Sequence, residues 1–177
     1  QIDYVRPMKK NNQLEIGGKS INKSGTAYLL AELFDSASGT WLKESLWSND
    51  YQVDEGIHSV YAVYKQSIKK FGYQVGLRLE KAYTDAFLLE GNDTFHNEYF
   101  SPFPSVHLSY ELKKNSQLKA SYSRRVNRPG HRTMRPFADY SDPLNIRQGN
   151  PFLLPEYINS YEVEYSLRKG KTMVSTG

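Results

Sequence analysis

Residues 121–165 read SYSRRVNRPGHRTMRPFADYSDPLNIRQGNPFLLPEYINSYEVEY. Apolar and polar side chains alternate at both ends of this stretch, the period-two mark of a strand with two different faces. The interior carries Pro129, Pro136, Pro143, Pro151 and Pro155, together with Gly130 and Gly149. Proline has no backbone N–H and fixes φ, so this interior is neither a helix nor a central strand. It also carries Phe137, Tyr140 and Phe152, and disordered segments are usually poor in such rings. Long irregular connections are uncommon in compact domains and usually functional. The stretch predicts one long, partly ordered loop joining two antiparallel strands.

The same alternation extends outward. Tyr73, Val75, Leu77 and Leu79 alternate with Gln74, Gly76, Arg78 and Glu80. Val106, Leu108, Tyr110 and Leu112 alternate with His107, Ser109 and Glu111, and Leu118, Ala120 and Tyr122 with Lys119, Ser121 and Ser123. After the loop, Tyr161, Val163, Tyr165 and Leu167 oppose Ser160, Glu162, Glu164 and Ser166. Earlier strands are expected over 1–5, 14–22 and 53–68, where the consecutive apolar residues Val60 to Tyr64 leave the facing open. TAYLLAELF, 26–34, predicts two turns of helix with Leu29, Leu30 and Leu33 on one side. A loop containing a strand end at Trp41 is expected after it.

Connections alternate in length. Tight turns are expected at 9–13, 69–72, 114–116 and 168–171, and long loops at about 24–51, 84–103 and 127–157. The fold class is therefore all-β: an antiparallel up-and-down meander of about eight strands with the long loops at one end. Strands of ~9–11 alternating residues with tyrosines near their ends fit part of a transmembrane β-barrel. A soluble β-sandwich, for instance a glycan-binding module, alternates in the same way. So does a complete small eight-stranded barrel serving adhesion or structure. A hairpin centred on Asn115 pairs Leu112 with Leu118 and Glu111 with Lys119. Lys119 is then expected between Glu111 and Glu164 on the polar face.

The 177 residues suffice for one domain. There is no cysteine, hence no disulfide framework and no thiolate metal site. No apolar run approaches the ~18 residues of a spanning helix. The net charge of +4 is interspersed in sign, which fits a mixed polar surface and not a nucleic-acid stripe. The chain starts at Gln1 with no basic-then-apolar leader, and both ends look like cuts; the expectation is a piece of a longer protein. His58, His96, His107 and His131 are scattered, with no metal-protease, phosphate-loop or nucleophile-elbow motif. An enzyme is not expected, nor a cofactor or a bound metal.

SYSRRVNRP, MRPF, SDP, GNPFLLPEY and YEVEYS, in this order and spacing, resemble the β-barrel of TonB-dependent outer-membrane receptors of the Bacteroidota type. YQVGLRLE (73–80) and QIDY (1–4) resemble earlier strands of the same barrels, so the likeness runs over nearly the whole chain. The resemblance implies a Gram-negative outer-membrane barrel of about twenty-two strands with an N-terminal plug. It implies import of a scarce ligand, such as a metal chelate, vitamin, glycan or peptide, on energy delivered by TonB. Residues 1–177 would be a partial barrel without the plug. The implied partners are outer-membrane lipid, the remainder of the barrel and its plug, the TonB complex through that plug, and a surface lipoprotein. In that setting the tight turns are periplasmic and the 121–165 stretch forms an extracellular loop.

Arg124, Arg125, Arg128, His131, Arg132 and Arg135 form a basic cluster in this loop. Arginine forks suit carboxylates bidentately, so capture of an anionic ligand is the sharp expectation. A solvated loop or contact with anionic lipid head groups is the competing one. The ligand-binding candidates are Arg125, Arg128, His131, Arg132, Arg135 and Tyr140.

Overall fold

The computed structural model describes residues 1–8, 11–45, 47–88, 93–113, 115–130, 132–140, 142, 144–169 and 172–177. Its strands are β1 (Ile2–Met8), β2 (Asn12–Leu29), β3 (Glu32–Asp35), β4 (Thr40–Lys43), β5 (Asn49–Ile68), β6 (Phe71–Leu88), β7 (Thr94–Lys113), β8 (Ser116–Asn127), β9 (Ala138–Asp139), β10 (Arg147–Gln148), β11 (Glu156–Lys169) and β12 (Thr172–Thr176). Eight of them form one sheet in the order β1-β2-β5-β6-β7-β8-β11-β12, every adjacent pair antiparallel. β3–β4 and β9–β10 are small two-stranded ribbons inserted in the connections at one end. Among the described residues β1 and β12 stand at opposite ends of the sheet order and the sheet does not close on itself. Nor is there, among the described residues, a second large sheet packed on the first, so the sandwich and the closed small barrel both fall away.

The register assigns each strand two faces. One row runs Gln13–Lys65–Gln74–His107–Ser121–Glu162 across six strands. The next row, on the opposite face, runs Leu14–Tyr64–Val75–Val106–Tyr122–Tyr161. The apolar face is bare: Val60, Val75, Leu77, Phe100, Tyr161 and Val163 are all exposed. On β6 this outer band runs from Phe71 through Tyr73, Val75 and Leu77 to Leu79, then meets Lys81. At ~3.3 Å per residue it is about 26 Å along the strand, and at the ~35–45° tilt of barrel strands it stands about 20 Å tall, near the ~25 Å apolar band of a barrel wall. Phe71, Tyr73 and Tyr64 cluster at its lower margin, with ring centroids 6.0 Å apart in both contacts that Tyr73 makes. Tyrosines there match the aromatic girdles of such walls.

The inner face, on which the long loop packs, is polar at this depth. Tyr61, whose facing was open from the sequence, points inward. Its hydroxyl lies 2.6 Å from Asp3 Oδ1 and 2.9 Å from Glu15 Oε1. Gly17 makes room for this group, since a Cβ there would lie 2.7 Å from Tyr61 Cε1. Lys119 Nζ sits 3.4 Å from Glu164 Oε1 on the same face, as expected for that half of the triplet.

The other half is corrected. Lys119 pairs with Ser109 and Glu111 with Gln117, because the ladder shifts between Glu111 and Lys113. A bulge on one strand lets the hairpin close two residues away from the expected register. An even slip preserves the faces, so Lys119 stays opposite to the Leu108 and Leu118 side. Lys9, Lys10, Lys114, Gly170 and Lys171 of the expected tight turns lie outside the described residues.

Two further expectations are overturned. Residues 26–34 are not helical: Thr26 to Leu29 finish β2, and Glu32 to Phe34 belong to β3. Leu29 packs inward beneath the long loop, while Leu33 pairs with Leu42 across the β3–β4 ribbon. Leu29 ends β2, Leu33 lies in β3 and Leu30 falls in the connection between them, so their helical spacing is fortuitous. Residues 84–103 are not a loop either. β6 continues to Leu88, and β7 begins at Thr94 and pairs with it. Trp41 lies in β4, stacked edge-on with Phe34 at 5.3 Å.

Candidate functional site

Above the outer apolar band the two faces exchange character. Outward positions become polar: Ser20, Asn22, Ser24 and Thr26 on β2, His58 on β5, Lys81 and Asp85 on β6, His96 and Glu98 on β7. They pair with one another. Lys81 Nζ is 2.9 Å from Glu98 Oε1, His96 Nδ1 2.6 Å from Asp85 Oδ1, and Ser20 Oγ 2.9 Å from His58 Nδ1. Inward positions become apolar. Ala27, Leu29, Tyr51, Val53, Ala86, Leu88 and Phe95 form a cluster around one ring of the long loop, Phe137. The strands thus leave the bilayer and continue as a wall with water outside and packing inside.

The loop between β8 and β11 is folded into that space. Thr133 N–H donates to Gly130 O at 3.0 Å, Leu144 N–H to Asp142 Oδ1 at 3.0 Å and Phe152 N–H to Asn150 Oδ1 at 3.0 Å. The first is a backbone turn, and the other two are the local turns that Asp and Asn side chains offer the backbone. β9 and β10 pair, setting Arg147 opposite Asp139. Gly149 lies against Thr133 and Arg135, where a Cβ would come within 2.6 Å of backbone. Only glycine permits that approach.

Ring contacts and a polar root tie the loop to the strands and, through Trp47, to the β4–β5 connection. Phe137 meets Tyr51 edge-on at 5.9 Å, Tyr140 stacks on Trp47 at 5.7 Å, and Phe152 meets Phe95 edge-on at 5.8 Å. At its root Arg128 Nη2 is bonded to Glu80 Oε1, and Arg128 Nε donates to the Tyr99 hydroxyl at 2.8 Å. Glu80 is 5% exposed, so this pair is largely removed from water. Burial, with Arg78 nearby, holds the Arg128 guanidinium below its ordinary pKa.

The predicted basic cluster is therefore divided. Arg128 and Tyr140 hold the loop in place. Arg125 lies on the sheet, 3.9 Å from Glu162 and 3.4 Å from Ser160. With Arg78 and Arg124 it lines a cleft of about 300 Å³ on the inner face. Arg124 stands over the Tyr157 ring at 4.4 Å and Arg78 over Phe103 at 4.7 Å. Arg132 and Arg135 line a separate cleft within the loop itself. His131 lies outside the described residues. Sequence reasoning did not single out Arg78, Glu80 and Arg147 as site residues; only register and the loop's return path bring them to the others. Among the described residues no three potential metal ligands converge.

One sheet face bare and apolar, the other polar and overlain by a folded outer loop, defines a wall of a transmembrane β-barrel. The chain belongs to the outer membrane protein beta-barrel family, whose profile matches residues 1–177, and its place is the outer membrane of a Gram-negative bacterium. No curated protein matches it. Its fold is similar to the crystal structure of the ferric citrate transporter FecA in the unliganded form, with 13% identity and a TM-score of 0.63. That likeness covers 98% of this chain and 25% of FecA, so the chain spans about a quarter of that transporter's length. At this identity the likeness concerns the fold.

Proposed function

We propose that this chain is part of the barrel of a TonB-dependent receptor that binds and imports a scarce ligand, a metal chelate, vitamin, glycan or peptide. The observation that carries this reading is the fold of the 128–155 loop. A connection that merely joined β8 to β11 would need no aromatic anchors on β5 and β7, yet Phe137 and Phe152 are seated there. A loop held over the mouth of a wall is placed to meet what arrives from outside. Arg132 and Arg135 are the candidates to face that ligand, with Arg125 deeper on the inner face.

Residues 1–177 would contribute a segment of the wall, and the remaining strands and a plug would complete the lumen. The open sheet order and the quarter-length match to a transporter support this division. TonB would then act through the plug, and a surface lipoprotein could cap the outer loops.

The test is uptake by cells expressing the full-length protein, with TonB intact or disrupted, across the four ligand classes. Accumulation of one class that disappears without TonB is the expected result. Uptake indifferent to TonB, or surface adhesion with no uptake, would overturn the reading.

A further inference from the structure

The β8–β11 loop encloses a cleft of about 540 Å³, with Arg132, Arg135, Arg147, Phe137 and Asp139 among its walls. That volume is within the usual range of small-molecule sites. Three guanidinium groups share it with one carboxylate. Arg135 Nη1 lies 3.8 Å from Asp139 Oδ2, and its guanidinium stands 5.4 Å over the Phe137 ring. The Arg132 and Arg147 side chains have no hydrogen bond or ion pair among the described residues, and both residues are exposed.

Like charges on a slack loop would swing apart. Here the loop is held: Phe137 is 7% exposed in its cluster, the β9–β10 pairing fixes Arg147 opposite Asp139, and Asn150 N–H donates to Thr133 O at 2.8 Å beside the tight approach of Gly149. The backbone thus presents three forks of N–H donors to one concavity before any ligand is there. Such forks match paired oxygens of carboxylate or phosphate, and a preorganised set loses less on binding.

We propose that this cleft binds a small, multiply charged oxyanion, a polycarboxylate or a phosphorylated compound, between Arg132, Arg135 and Arg147. Asp139 holds Arg135 from one side and leaves the two unpaired arginines as the main donors. This deepens the receptor reading and rests on it for the ligand's onward route.

The experiment is calorimetric titration of the full-length protein in detergent at low salt, with pyrophosphate for the phosphate arm and tricarballylate for the carboxylate arm. At least one probe binds at a single site, and its affinity falls as salt rises. Arg132→Gln with Arg147→Gln weakens binding by roughly tenfold or more, and the Lys pair, which keeps charge without the fork, by less. Both arginines are exposed and unpartnered, so the double variant should melt with the parent; if it melts lower, the single variants are compared instead. A folded variant that binds as tightly as the parent overturns the proposal, as does a parent that binds neither probe. TonB-dependent uptake without probe binding would sink the cleft and keep the receptor. Probe binding lost in the Gln variants, without TonB-dependent uptake, would do the reverse.

Discussion

Phe137 stands edge-on to Tyr51, ring centroids 5.9 Å apart at an interplanar angle of 76°. This contact joins the middle of the outer loop to the first turnward residues of β5, across the inner face of the sheet. Both rings are buried, with Ala27, Leu29, Val53, Ala86, Leu88 and Phe95 around them. Truncating a buried phenylalanine typically costs about 3–5 kcal/mol. Here the loss falls on the loop and not on the sheet, because the strands keep their ladders. Phe137→Ala should therefore expose residues 128–155 to limited proteolysis while the detergent-resistant barrel persists. Unchanged protease resistance would show that the ring does not anchor the loop.

The Arg128–Glu80 pair should respond unequally to its two deletions. The Glu80 side chain is 6% exposed and Arg128 31%. Removing Arg128 leaves a carboxylate in the wall whose one remaining ion pair among the described residues is with Arg78, 3.8 Å away. Removing the charge of Glu80 leaves a guanidinium that reaches water and still donates to Tyr99. Breaking a buried pair costs up to about 3–5 kcal/mol when a charge is stranded. Arg128→Gln should lower the melting temperature more than Glu80→Gln, and the double variant should recover part of the difference. Equal effects of the two single variants would refute the asymmetry.

Neighbouring residues of β6 should report the bilayer. Val75 is on the bare outer face and Gln74 on the inner one. An arginine at mid-depth on the lipid face costs about 2–4 kcal/mol, and far less on the lumen side. Val75→Arg should impair folding of the full-length protein into vesicles, read as loss of the heat-modifiable band on a gel, and Gln74→Arg should not. Equal folding would mean that the outer face does not meet lipid.

The strands of the membrane band were legible because lipid enforces strict alternation, as in Tyr73–Leu79. Their extensions were not. Above Leu79 the outward positions include Lys81, Asp85, His96 and Glu98, with the rings of Tyr83 and Phe87 among them, and the inward ones include Ala86, Leu88 and Phe95, so apolar residues no longer keep to one phase of the strand. A single-phase reading of 84–103 therefore ended β6 too soon. The bulge near Leu112 left no mark beyond a plausible turn, since several registers satisfy the same pattern there. In the candidate site, proline and arginine content marked the loop. What each arginine meets depends on residues such as Glu80, far away in sequence and joined only by the fold. That is why Arg128 is a tether, Arg132 has no partner among the described residues, and Arg147 went unnoticed.

Glu98 offers a check on where the wall stands in water. It lies above the apolar band, and Lys81 at 2.9 Å holds its carboxyl below the ordinary carboxylate value, with the charge of His96 acting the same way and desolvation opposing. The facing groups are Lys81, His96 and, through His96, Asp85. A carboxylate with a depressed folded pKa contributes stability above its unfolded pKa and loses it as pH falls through the folded one. The difference in melting temperature between the parent and Glu98→Gln should therefore be present near neutrality and shrink between about pH 5 and about pH 3. Lys81→Gln should return the Glu98 carboxyl toward its ordinary value and flatten that dependence. Raised salt should weaken the neutral-pH difference as well, because these groups are screened by solvent. A difference indifferent to both pH and salt would place this face out of water and the upper margin of the band higher than Lys81.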